Sequence, residues 1–135
     1  MKRKLSLVLV AVLVLLCGTV FASADSDPAV TIVSPGQTVY GSTLLVSVKI
    51  TEPKTVRVSV WEQKAVVGDT LVPIITDEQG NYTAETVKSV AVMEAETFTC
   101  PDNLRFYSKE LSNLTPGLYK ITVETLKDGN VTAST

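Results

Sequence analysis

The sequence predicts an all-β chain, folded as a two-sheet antiparallel sandwich of about seven strands. Three observations carry that expectation. From Ala29 onward the apolar residues recur with a period of two, as on a pleated strand, and not with the helical period. β-Branched residues dominate those runs. Between the runs stand Pro-Gly, Gly-Asp, Gly-Asn and Asp-Gly pairs, whose backbone preferences suit tight turns. No later stretch has amphipathic helical spacing, and no fixed-period repeat or low-complexity linker divides the chain, so one domain is expected.

The opening is of a different kind. Met1-Lys2-Arg3-Lys4 precedes an apolar run from Leu5 to Leu16, interrupted only by Ser6, and small residues follow, ending in Ala22-Ser23-Ala24. A basic head, an apolar middle and an A-x-A tail read as a secretory signal peptide over residues 1–24, with residues 25–135 as the exported domain. The apolar run is shorter than the roughly 20 residues of a membrane span. Two alternatives leave the chain tethered: an uncleaved signal, or cleavage before a lipidated Cys17, against which Leu16 stands where a small residue is required.

With Lys2, Arg3 and Lys4 gone from the 12 basic residues, nine remain against 14 acidic ones, a formal charge of −5. That excess argues against nucleic acid or an anionic membrane as partner. Cys100 becomes the sole cysteine, so no internal disulfide is available, and the thiol is either a small buried side chain or an intermolecular link.

The strands follow in order. "AVTIVS" comes first, and Pro35-Gly36 breaks it. In "TLLVSVKI", Leu44, Val46, Val48 and Ile50 share one face, and Leu45, Ser47 and Lys49 the other. Pro53 separates that run from "TVRVSVW", with Val56, Val58 and Val60 inward and Arg57 and Ser59 outward. Gly68-Asp69 marks a turn, and "TDEQGNYTAE", Thr76 to Glu85, reads as a hairpin. "VKSVAVM" follows. Residues 94–114 are the least regular, with a short strand over Thr97–Cys100 and a turn at Cys100-Pro101-Asp102-Asn103. Finally, Asp128-Gly129 between "LYKITVET" and "VTAST" suits a type I′ hairpin, which demands positive φ at both central residues.

"LTPGLYKITVET", Leu114 to Thr125, resembles the penultimate strand of immunoglobulin-like and fibronectin type III-like sandwiches. By that resemblance Tyr119 is a tyrosine corner, its hydroxyl bonding backbone a few residues upstream, with Leu114 beside it and Ile121 and Val123 inward. "VTIVSPGQTVYGSTLLVSVKI" and the Asp-x-x-Gly-x-Tyr pattern are similar to the bacterial immunoglobulin-like modules of surface and secreted proteins. The paired cysteines of antibody domains are missing. Trp61 falls out of phase with Val56, Val58 and Val60, so it reaches the core only if a bulge rotates it.

The chain has no histidine, which removes Ser-His-Asp and Cys-His catalysis and the common zinc sites. Its acid clusters, Asp25-Ser26-Asp27, Asp77-Glu78 and Glu94-Ala95-Glu96, stand beside turns or a terminus, where solvated charges are normal. "TDEQGN" offers oxygen ligands of the kind calcium takes, without the spacing of an EF-hand. No cofactor, metal or catalytic residue is therefore assigned. Asn81, Asn113 and Asn130 begin N-glycosylation sequons, relevant to a eukaryotic source.

The aromatic residues Trp61, Tyr40, Tyr82, Phe106 and Tyr107 form the candidate interaction surface, since large rings serve protein contacts and stack on sugars. The function these features imply is a secreted, non-catalytic immunoglobulin-like module for extracellular or cell-surface interaction, its partner a protein or a cell-wall glycan. A carbohydrate-binding module centred on Trp61 is the alternative, and an inhibitor of secreted proteases a third.

Overall fold

The computed structural model describes residues 25–36 and 38–135; the signal-like segment, with Cys17, lies outside the described residues. Eight strands follow in order: β1 (Val30–Ser34), β2 (Leu44–Ile50), β3 (Lys54–Val67), β4 (Thr70–Pro73), β5 (Val87–Cys100), β6 (Arg105–Leu111), β7 (Leu118–Lys127) and β8 (Asn130–Ser134). They form two antiparallel sheets. One has the order β1-β2-β6; in the other, β7 pairs β3 and β8 pairs β7, while β4 and β5 both pair β3. Among the described residues no helix is long and apolar enough to cross a membrane.

The alternation seen in the sequence is the cause of the packing. Val46, Val48 and Ile50 of β2 and Val56, Val58 and Val60 of β3 are all fully buried and meet in one core with Val123 of β7. Each such side chain contributes roughly 1.5–3 kcal/mol relative to exposure. Cys100 is 1% exposed at the end of β5, its thiol donating to the Asp102 carbonyl at 3.1 Å, so it belongs to the core. Asp128 and Gly129 take φ of 52° and 79°, the two positive values of the type I′ turn.

The sandwich expected with about seven strands has eight, because Gly68-Asp69 turns β3 back into the short β4, and because residues 105–111 are a full strand. The latter escaped the pattern since the phase of buried Tyr107 also carries Lys109, a partly exposed side chain that, like the Tyr107 hydroxyl, bonds Glu96. Thr97–Cys100 is no separate strand but the end of β5.

Residues 76–85 do not form a hairpin. Ala65 pairs with Val72 of β4 and with Val87 of β5, so β4 and β5 lie on opposite edges of β3, and the chain between them crosses from one edge to the other. Asp77 shapes that crossing loop: its carboxylate accepts from the amides of Gln79 and Asn81 and from Asn81 Nδ2. Both oxygens of the Asp77 carboxylate are thus turned to the loop's own donors.

Trp61 is not rotated inward. The irregularities of the β3–β5 ladder put the extra residues on β5, where Val58, Val60 and Trp61 pair with Glu96, Met93 and Ala91. The β3–β7 ladder runs without interruption from Thr55 to Gln63. Trp61 therefore keeps the outward phase of Ser59, to whose Oγ its Nε1 donates at 3.1 Å, and it is half-buried there.

Two carboxylates close the open sides of the sandwich. On one side Glu96 of β5 accepts from Tyr107 at 2.6 Å and from Lys109 at 2.8 Å, both on β6. On the other, Asp27 accepts from Lys54 Nζ at 2.6 Å, from Thr125 Oγ1 and from the Ala29 amide, and the Asp25 carbonyl receives the Ser134 amide. Two of the acid clusters thus each supply one carboxylate, Asp27 and Glu96, that is bonded within the fold.

Candidate functional site

Three loops converge at one end of the sandwich: the β1–β2 loop around residues 35–43, the β4–β5 crossing loop and the β6–β7 loop around residues 112–117. They meet over a cleft of about 230 Å³. Its walls are built by sequence features already visible. Pro35-Gly36 and Pro116-Gly117 break their strands, and the Leu114 amide donates to the Ser42 carbonyl, tying the first loop to the third. Tyr119 secures the third loop from below, its hydroxyl donating to the Thr115 carbonyl at 2.6 Å.

The lining is mixed. Its apolar residues are Val39, Leu44, Leu114, Leu118 and Ile121, and its hydroxyl-bearing ones include Thr38, Ser42, Thr43, Thr76 and Thr115. Among the described residues no charged side chain lines it. A broader depression adjoins it across Thr38, Thr76 and Leu118, walled by Tyr40, Asp77 and Glu78. There Asp77 is held below the ordinary carboxylate range by hydrogen bonds from Asn81, backbone first and side chain next, so this rim is anionic through the neutral range.

Behind the cleft wall lies Glu62. It continues the inward phase of Val56, Val58 and Val60, and it is 7% exposed. Its Oε2 pairs with Lys64 at 3.3 Å, while Oε1 is buried with no hydrogen-bond partner. A Cβ on Gly117 would stand 3.2 Å from that oxygen, so the glycine gives the carboxylate its room.

The five aromatic residues do not assemble into one surface. Tyr40, 92% exposed, and Tyr82 stand on two of the converging loops. Trp61 lies on the outer face of the β3-containing sheet, and Phe106, half exposed, on the outer face of the other. Tyr107, expected at the surface, points into the core: it meets Phe98 edge-on at a centroid distance of 5.9 Å and is 7% exposed. Burial, reinforced by the bond to Glu96, raises its hydroxyl well above the ordinary tyrosine range.

What sequence reasoning missed is the hydroxyl set. Its signal was the Ser/Thr-rich "GQTVYGST" between the first two strands, which reads as loop composition until Thr76 and Thr115 join it in space. No family model matches this chain, and no curated protein or solved structure matches it.

Proposed function

We propose that this chain is a secreted, non-catalytic binding module of immunoglobulin-like architecture, which engages an extracellular or cell-surface partner through the loop end that carries the cleft. The observation that carries the reading is the convergence of three loops, two of them bearing the exposed Tyr40 and Tyr82, on one end of a rigid two-sheet frame. Loops fixed by such a frame are where binding residues concentrate, because the frame supplies position and the loops supply chemistry. Tyrosine in a loop offers a large contact area at little conformational cost.

The strand order supports the architectural part. The orders β1-β2-β6 and β3-β7-β8 are compatible with A-B-E and C-F-G of an immunoglobulin-like sandwich, and the Tyr119–Thr115 bond with a tyrosine corner on F. The departure is β5, which pairs β3 instead of β6.

The test is saturable binding of the fluorescently labelled protein to the surface of the cells that produce it, compared with Tyr40→Ser and Tyr82→Ser. Loss of about tenfold in affinity in either variant is expected, the scale of an interface aromatic removed. Binding that neither substitution alters, or no saturable binding, contradicts the reading.

A further inference from the structure

We infer that the cleft between the β1–β2 and β6–β7 loops takes one unit of a neutral, polyhydroxylated ligand, a glycan chain, with Tyr40 beside the next unit; this rests on the loop-end reading above.

Size decides first. At about 230 Å³ the cleft falls below the roughly 300–1,000 Å³ of sites that enclose a drug-sized ligand, so it has room for a single ring-sized group of something longer. The adjoining depression that Tyr40 walls offers the place for what continues from it.

Charge decides next. An ionised group in the cleft would lose water without gaining a counter-charge, because among the described residues no charged side chain lines it. The neighbouring Asp77 and Glu78, on a domain with more acids than bases, repel an anionic polymer further. The ligand is uncharged.

Polarity then sets the class. Some hydroxyls of this chain are engaged within the protein: Thr55 bonds Thr99, Thr125 bonds Asp27, and Thr132 bonds the Thr125 carbonyl. Among the described residues, those of Thr38, Ser42, Thr43, Thr76 and Thr115 make no such bond within the protein, although they share one concave surface. Hydroxyls that both donate and accept, alternating with Val39, Leu44 and Leu118, match a sugar ring, whose rim is hydroxylated and whose face is apolar. The site lies apart from Trp61, whose indole N–H is engaged by Ser59 on the outer face of a sheet.

Calorimetric titration of the purified protein with cellotetraose, chitotetraose and maltotetraose tests the inference directly, and polygalacturonate and a tryptic digest of envelope proteins serve as anionic and peptidic comparisons. Binding of at least one neutral oligosaccharide is expected, weakened about fivefold by Thr38→Val and again by Thr76→Val, the effect of one hydroxyl hydrogen bond each. Lack of binding by all three overturns the inference, as does binding that the valine variants leave unchanged, or binding of the polygalacturonate or peptides alone. Cell-surface binding that Tyr40→Ser weakens but none of the oligosaccharides displaces would leave the loop-end reading standing and remove the glycan.

Discussion

Tyr119 donates its hydroxyl to the Thr115 carbonyl four residues upstream, at 2.6 Å, and this bond holds the β6–β7 loop against the end of the core. The ring is half-buried against the core with Leu114 and Ile121. The same contact that completes the fold therefore shapes one wall of the cleft.

Replacing Tyr119 with Phe keeps the ring and removes the bond. A loss of about 1 kcal/mol is expected, since the oxygen is near solvent and its partner carbonyl can bond water instead. Chemical denaturation measures it, and an unchanged midpoint removes the corner from the account.

Acid should weaken the fold through Asp27. Burial works against its ionisation, but the bonds from Lys54, the Ala29 amide and Thr125 outweigh burial and hold its carboxyl below the ordinary 3.8. The unfolded chain then takes up the proton first as pH falls. The stability due to Asp27 is complete above about pH 4 and disappears as pH drops through the lower folded value. Asp77 and Glu96, also lowered, act in the same direction. Asp27→Ala should cost about 2 kcal/mol at neutral pH and flatten the acid limb of the stability curve; a variant with an unchanged acid limb would contradict the clamp.

At high pH the sign reverses. Tyr107 is raised above its ordinary 10.0, so it stays neutral in the fold when the unfolded chain has lost its proton, and stability declines as pH rises past 10. Ultraviolet titration should find one tyrosine resisting ionisation until the protein unfolds. Tyr107→Phe should abolish that late step.

Gly117 and Glu62 should be coupled. Alanine at 117 brings a methyl to 3.2 Å from Glu62 Oε1, and a carboxylate 9% exposed and paired with Lys64 has little freedom to withdraw. Gly117→Ala should cost about 1 kcal/mol in the native background. In a Glu62→Ala background the cost should vanish or turn into a small gain from the stiffer unfolded chain. Additive effects of the two changes would contradict the packing described here.

The fold was largely legible in the sequence because its strongest determinants are local. The alternation in Leu44–Ile50 and Val56–Val60 and the Asp128-Gly129 pair each specify a conformation within a few residues. β6 was not legible, since the phase of buried Tyr107 also carries the partly exposed Lys109, and both bond Glu96, eleven and thirteen residues earlier. For the same reason the crossing loop reads as a hairpin in the sequence: "TDEQGNYTAE" has hairpin residues, but β4 and β5 take opposite edges of β3. The candidate site was half legible. Tyr40 and Tyr82 were named from composition, whereas Trp61 and Phe106 proved to stand on separate faces and Tyr107 in the core. The hydroxyls of Thr38, Thr76 and Thr115 are far apart in the chain, and only topology brings them together.

The proposed binding occurs at the loop end and not on a sheet face, which amide hydrogen exchange of the protein, alone and with solubilised envelope material, distinguishes. New protection is expected in residues 38–44, 76–82 and 114–119, with the strands of both outer faces unchanged. Protection confined to the strand segments around Trp61 or Phe106, with the three loops exchanging as before, would contradict it.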